Sequence, residues 1–172
     1  MNIIIEKNGF DVFLSNYIQS DYLELYKIAN EEDILKSMNR DSFSIDDAIK
    51  FIIYARDMLE REKEFHLAIR NKENKLVGAI GLAINNDRSA EIGLWIGKEY
   101  RRRGYAHEAI ELMLCFAFNK LNVNKVYALI DKENIASISL FEKEHFIKEE
   151  KDDKFVFYIE NNKDNCNINI DF

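Results

Sequence analysis

The sharpest alternation of apolar and polar residues runs from Glu91 to Ile96. Ile92, Leu94 and Ile96 fall on one side and Glu91, Gly93 and Trp95 on the other, the two-residue period of a strand. Downstream the period lengthens. Ala106, Ala109, Ile110, Met113, Phe116 and Ala117 form a single stripe at 3.6-residue spacing, which predicts a helix opening near Gly104. Similar patterns predict strands over Ile3–Ile5, Asp11–Leu14, Phe65–Arg70, Leu76–Ala83, Lys125–Ile130, Ile147–Glu149 and Phe155–Ile159. The turn at 71–74 makes a hairpin of the third and fourth of these. Ser20 is placed to cap a helix carrying Tyr22, Leu25, Tyr26 and Ala29, and Asn30 to cap a short one reaching Met38. Ser44 with Asp47 has the spacing of a capping box. It opens a long helix with Ile45, Ala48, Ile49, Ile52, Ala55 and Leu59 on one face. A last short helix spans Asn134 to Glu144, with Asn134 at its N-cap. The strand, helix and strand from Glu91 to Ile130 form a βαβ unit, whose strands should run parallel with a right-handed crossover.

One domain over residues 1–160 follows from this even spacing of elements, since no repeat or linker interrupts it. Residues 161–172, rich in Asn and Asp, read as a polar C-terminal tail, with Ile168 and Ile170 spaced to add an edge strand. The tyrosines Tyr22, Tyr26 and Tyr54 read as core. Composition is that of a globular protein, 47% hydrophobic and 32% charged. The net charge of −7 argues against nucleic acid and leans towards cationic partners. No signal peptide or membrane-length apolar run is present, so the expected location is the cytoplasm, with no membrane partner. Cys115 and Cys166 do not make a disulfide framework, and Cys115 reads as a small core residue. His66, His107 and His145 are scattered, with no metal-ligand spacing.

Candidate chemistry sits between the central strand and its helix. Arg101, Arg102 and Arg103 precede Gly104, where the chain can approach a ligand closely, and the helix start offers unpaired N–H groups with partial positive charge. That combination suits a phosphate.

These residues also carry a resemblance. Arg101-Arg102-Arg103-Gly104-Tyr105-Ala106 resembles the R/Q-x-x-G-x-G/A signature of the GCN5-related N-acetyltransferases (GNAT). The preceding AEIGLWI, Ala90–Ile96, looks like the lead-in strand of the ribosomal-protein N-terminal acetyltransferase (RimJ/RimL-like) branch. Asn134-Ile135-Ala136-Ser137, followed by Lys143-Glu144-His145-Phe146, is similar to the family's second block, N-x-x-S…K-x-G-F. The resemblance spans roughly Phe10 to Ile159. It implies an α+β (α/β three-layer) fold: a mixed, twisted sheet, mostly antiparallel with a splayed central parallel pair, flanked by helices. The implied activity is acetyl-CoA-dependent transfer to a primary amine, either a protein N-terminus or a small molecule, by direct attack in a ternary complex. Acetyl-CoA is then the cosubstrate, held by Trp95, Ile96, Arg101, Arg102, Arg103, Gly104, Tyr105, Ala106, Asn134 and Ser137, with the Ile96 N–H as oxyanion donor. Glu91 is the candidate general base, set against its alternative as an exposed strand residue paired with a cation. Glu31, Glu32 and Asp33 lie in the region that borders the acceptor in relatives and suggest a cationic amine.

Three departures from the family pattern stand out. Arg102 and His145 replace glycines, and Phe141 replaces the tyrosine that protonates the departing thiolate, leaving Ser137 or a water for that role. A second class of reading therefore stays open, a CoA-binding sensor or scaffold without turnover. Acceptor identity, and monomer against homodimer, are not encoded in these motifs.

Overall fold

The computed structural model describes residues 1–162 and 166–171; positions 163–165 and 172 of the expected tail lie outside the described residues. In chain order the strands are β1 (Ile4–Glu6), β2 (Val12–Ser15), β3 (Glu64–Asn71), β4 (Leu76–Ile84), β5 (Ser89–Ile96), β6 (Lys125–Asp131), β7 (Ile147–Lys151), β8 (Lys154–Glu160) and β9 (Asn169–Asp171). The α-helices are α1 (Tyr22–Ala29), α2 (Glu32–Ser37), α3 (Ile45–Glu60), α4 (Tyr105–Asn119) and α5 (Ile135–Lys143). The strands form one nine-stranded sheet in the order β7-β8-β6-β5-β4-β3-β2-β1-β9. Every neighbouring pair is antiparallel except β5 and β6, the two strands of the expected βαβ unit. Apolar side chains from both faces are buried, with Phe65 of β3 against Phe116 of α4 at 5.2 Å between ring centroids. Among the described residues no helix is long and apolar enough to cross a membrane.

Local signals set several boundaries as expected. Ser44 Oγ accepts from the Asp47 N–H at 3.0 Å, and the Asp47 carboxylate accepts from the Ser44 N–H at 2.8 Å. Such a box stabilises a helix start by about 1 kcal/mol. The β3–β4 turn closes with Asn74 at φ 62°, a conformation asparagine tolerates well.

Other expectations are corrected, each by a tertiary contact. Ser20 does not cap α1; it lies in a 3-10 turn over Gln19–Asp21 that leads directly into the helix. The buried Asp21 carboxylate takes a bidentate ion pair from Arg70, at 3.0 and 2.6 Å, and accepts from the Ile18 N–H at 2.7 Å. Asn30 does not cap α2, whose N-cap residue is Glu31. Its amide instead spans the Tyr26 carbonyl and both backbone groups of Phe43, tying the α2–α3 connection to the end of α1. On α3 only Ala48, Ile52, Ala55 and Leu59 of the predicted stripe are buried, while Ile45 and Ile49 are 43% and 41% exposed. Ile49 projects a quarter-turn away from Ala48, past the edge of the buried stripe. The cysteines are not free: Cys115 of α4 and Cys166 form a disulfide. The edge strand expected in the tail does form: β9 adds to the outer edge of β1, with Ile170 opposite Ile5.

Candidate active site

The sheet opens where β5 and β6 part. Their parallel register covers Ser89/Lys125, Ala90/Val126 and Glu91/Tyr127 and then stops, although β5 runs on to Ile96 and β6 to Asp131. Past Glu91 the two strands bound a wedge. The other edge of β5 stays paired with β4 throughout. Hydrogen bonds from the Asn85 N–H to the Ser89 carbonyl and from the Gly97 N–H to the Val77 carbonyl, both 2.9 Å, bracket that ladder. Antiparallel pairs alternate, so Glu91, Gly93 and Trp95 bond to β4, while the backbone groups of Leu94 and Ile96 turn towards the wedge. The Ile96 carbonyl is taken by Arg101 Nε at 2.8 Å. Its N–H remains directed at the gap, the orientation the sequence resemblance implies for an oxyanion donor.

At the mouth of the wedge stands the N-terminus of α4. Arg102 has φ 61° and Gly104, its N-cap, φ 79°, so the chain twice enters the left-handed region before the helix. A Cβ on Gly104 would meet nothing within 4 Å; it is the positive φ, not crowding, that favours glycine there. No side chain caps this helix, so the first-turn amides of Tyr105, Ala106 and His107 have no intrahelical or capping partner, the arrangement that suits an anion. Glu108, one turn in, fixes the helix by accepting from the N–H groups of Asp11 and Val12 at 2.7 and 3.0 Å.

The three arginines divide their labour. Arg101 turns back from the amides, and its guanidinium binds Asp33 at 2.6 Å and Glu31 at 3.1 Å. Burial works to raise the Asp33 carboxyl, but the Arg101 hydrogen bond and charge, with local amides, outweigh it and hold it below the ordinary aspartate range. Glu31 also accepts from the Lys98 N–H at 2.9 Å. Two of the three carboxylates expected near the acceptor thus fasten α2 to the turn below the wedge. Arg102 and Arg103 are exposed, with Arg103 reaching the Glu99 carbonyl at 3.1 Å.

The far wall comes from α5. Asn134 caps it by accepting from the Ser137 N–H at 3.1 Å. Ser137 is half-buried, one turn before Phe141 and therefore on the same side of the helix. Phe141 is 3% exposed and packs edge-on against Phe146 at 5.0 Å, so it serves the core. His145 adopts φ 63°, taking on the left-handed conformation of the glycine it replaces. His107 Nδ1 meets the Glu144 carboxylate at 2.5 Å, tying α4 to the end of α5.

A further group on the β5 face escaped the sequence reading. The register places His66 of β3, Gly81 of β4 and Gly93 in one row, and Glu64, Ala83 and Glu91 in the next, all on one face. Glu64 accepts from the Tyr54 hydroxyl at 2.9 Å and meets His66 Nε2 at 2.6 Å. Tyr54 is 42% exposed rather than core. The hydrogen bond to Glu64, then burial and the Glu64 charge, push its phenol upwards, so it remains a donor. Phe51 and Tyr54 hold the imidazole between them at 5.5 and 5.7 Å. The legible signal was Glu64 and His66 two apart on a strand, hence on one face. Glu91 itself is exposed beside open space over Gly93, where a Cβ would meet nothing within 4 Å. Trp95, half-buried, walls the same row on the other side.

Comparison with known proteins accords with this geometry. Residues 11–147 match the family described as Acetyltransferase (GNAT) domain. The N-acetyltransferase p20 of Bacillus licheniformis is 27% identical over 130 residues, 70% of each chain. Two solved structures share the fold. Spermidine N-acetyltransferase from Vibrio cholerae, in complex with CoA and spermine, has a TM-score of 0.75 at 22% identity, covering 89% of this chain and 97% of that one. Ribosomal-protein-S5-alanine acetyltransferase from Vibrio fischeri has a TM-score of 0.74 at 16% identity, covering 91% and 97%.

Proposed function

The chain belongs to the GNAT acetyltransferase family, and on that premise we propose that it moves the acetyl group of acetyl-CoA onto a primary amine by direct attack in a ternary complex. The observation that carries this reading is the β5–β6 wedge with an uncapped helix N-terminus at its mouth. Acetyl-CoA is the cosubstrate. Its pyrophosphate suits the amides of Arg102–Ala106, with the exposed Arg102 and Arg103 adding charge and Arg101 holding the turn in shape. The thioester arm suits the wedge, where it meets the inward-turned amides of Leu94 and Ile96; Trp95 and Asn134 flank it. An oxyanion forming on the thioester carbonyl is then stabilised by the Ile96 N–H. The C–N bond forms as the C–S bond breaks. Glu91, on the strand edge at the wedge, accepts the proton shed by the attacking nitrogen. Ser137, with Phe141 committed to the core, is the hydroxyl that hands a proton to the thiolate; it takes one back through water from the protonated Glu91, so the proton shed by nitrogen ends on sulfur and both residues are restored.

The relatives named for spermidine and for ribosomal-protein S5 alanine support an amine acceptor. Calorimetry with acetyl-CoA, followed by thiol release with an alkylamine, a polyamine, an amino sugar and a free peptide N-terminus, tests the reading. Tight binding with amine-dependent thiol release is expected. Binding without release for any amine identifies the non-catalytic CoA-binding alternative, and absence of binding overturns both.

A further inference from the structure

An alkylammonium must lose two protons to become an amide. One ends on the CoA sulfur, and the other leaves to solvent, before attack, from a group with a pKa of about 10. Glu91 serves the first of these in the reading above, on which this inference rests. The second requires a proton acceptor with its own path to the wedge.

We infer that His66, held by Glu64, is that acceptor: a carboxylate–imidazole pair that strips the incoming ammonium of its first proton. An ionised carboxylate only accepts, and Glu64 already receives the Tyr54 hydroxyl, so the 2.6 Å contact assigns the imidazole proton to Nε2. Nδ1 is left with its lone pair. That nitrogen lies over Gly81, 2.8 Å from where a Cβ would stand, so any larger residue at 81 would strike the ring. Gly81 is directly opposite Gly93 in the register, and nothing stands within 4 Å of the Cβ position of Gly93. Two glycines abreast thus leave a floor without side chains from the imidazole to the wedge, across two strand spacings of about 4.8 Å each. Ala83 and Glu91 border this floor on one side, Ala79 and Trp95 on the other. His66 and Glu64 keep 22% and 29% of their side-chain surface exposed, enough to pass a proton on to water. The titratable groups against the imidazole are Glu64 on its own strand and Tyr54 from α3; Glu91 lies on the same face in the next row, beyond β4, and Phe51 supplies only a ring.

The step balances: the ammonium N–H bond breaks, Nδ1 takes the proton, and the imidazolium returns it to solvent after each turnover. In the Glu64→Gln variant the imidazole keeps its place but loses the partner that fixes its tautomer, so Glu64 is a positioning residue.

The test uses the intact protein with acetyl-CoA and the best acceptor of the four-amine panel. His66→Ala should lower kcat/KM about a hundredfold at neutral pH, abolish the acidic limb of its pH profile and recover with added imidazole, while acetyl-CoA binding by calorimetry stays as in wild type. Gly81→Ala should reproduce part of this loss. Histidine ¹⁵N NMR should place the wild-type proton on Nε2 and show a tautomer mixture in Glu64→Gln. A proton on Nδ1 in wild type overturns the inference, as does a His66→Ala profile that superimposes on wild type. Acetyl-CoA binding without turnover of any amine overturns the transferase reading, and this inference with it.

Discussion

Replacing Cys166 with serine is the most informative single change to the scaffold. The Cys115–Cys166 bridge closes a segment with a sequence separation of 51 residues, so opening it frees the unfolded chain. The chain-entropy relation gives about 14 cal/mol/K for a loop of that size, or about 4 kcal/mol at 25 °C, as an upper figure. For a chain of this length each kcal/mol moves Tm by about 2–4 °C. A fall of about 10 °C is therefore expected. Serine belongs at 166 rather than 115 because Cys166 is half-buried, whereas Cys115 sits 5% exposed on the apolar side of α4, where a hydroxyl would add its own cost. Scanning calorimetry of wild type with and without reductant, beside Cys166→Ser, reads the effect. Reduced wild type and the variant should melt together, below the oxidised protein. Two reactive thiols in wild type denatured without reductant, or a Tm that reductant leaves unmoved, would refute the argument.

Three more outcomes are expected. Gly104→Val places a β-branched residue at φ 79°, which costs at least about 1–2 kcal/mol in the left-handed region; acetyl-CoA affinity should fall beyond calorimetric detection while the circular dichroism spectrum is retained. Glu91→Gln should lower kcat about a hundredfold near neutral pH, with partial recovery as pH rises and hydroxide takes the proton lost by the attacking nitrogen; a superimposable profile makes the carboxylate structural. Asp33 is ionised more readily in the fold than in the unfolded chain, so its contribution is present above the ordinary aspartate range and is lost as pH falls through the depressed value. Arg101→Ala removes that contribution, and urea midpoints of the two proteins should differ more at pH 6 than at pH 3.

Features written in a few neighbouring residues were readable in advance. The Ser44/Asp47 box, the Asn134 cap, the β5 alternation and the Gly104 helix start each need only a short window. His145 turns left-handed at the position where the family motif carries glycine. What escaped depends on partners far along the chain. Asp21 starts α1 because Arg70 lies 49 residues away, and Arg101 serves α2 because Glu31 and Asp33 wait 70 and 68 residues back. Likewise the disulfide joins cysteines 51 residues apart, brought together only once the tail strand lies alongside β1. The Glu64–His66 pair was half visible: the strand period put both on one face, but only the register revealed two glycines beside them.

The parting of β5 from β6 also bears on how this protein holds together. Six strands lie on one side of the seam and three on the other, and the seam is stitched at only three residue pairs. Hydrogen bonds that a continuous sheet would use for its own cohesion are here left to be made by a guest. On the reading proposed above, acetyl-CoA seated in that seam would act as a rung of the ladder, making occupancy and mechanical unity one property. The empty protein should breathe along this line first, with amides of Leu94 and Ile96 exchanging early, and the loaded protein should fold and unfold as a single cooperative body.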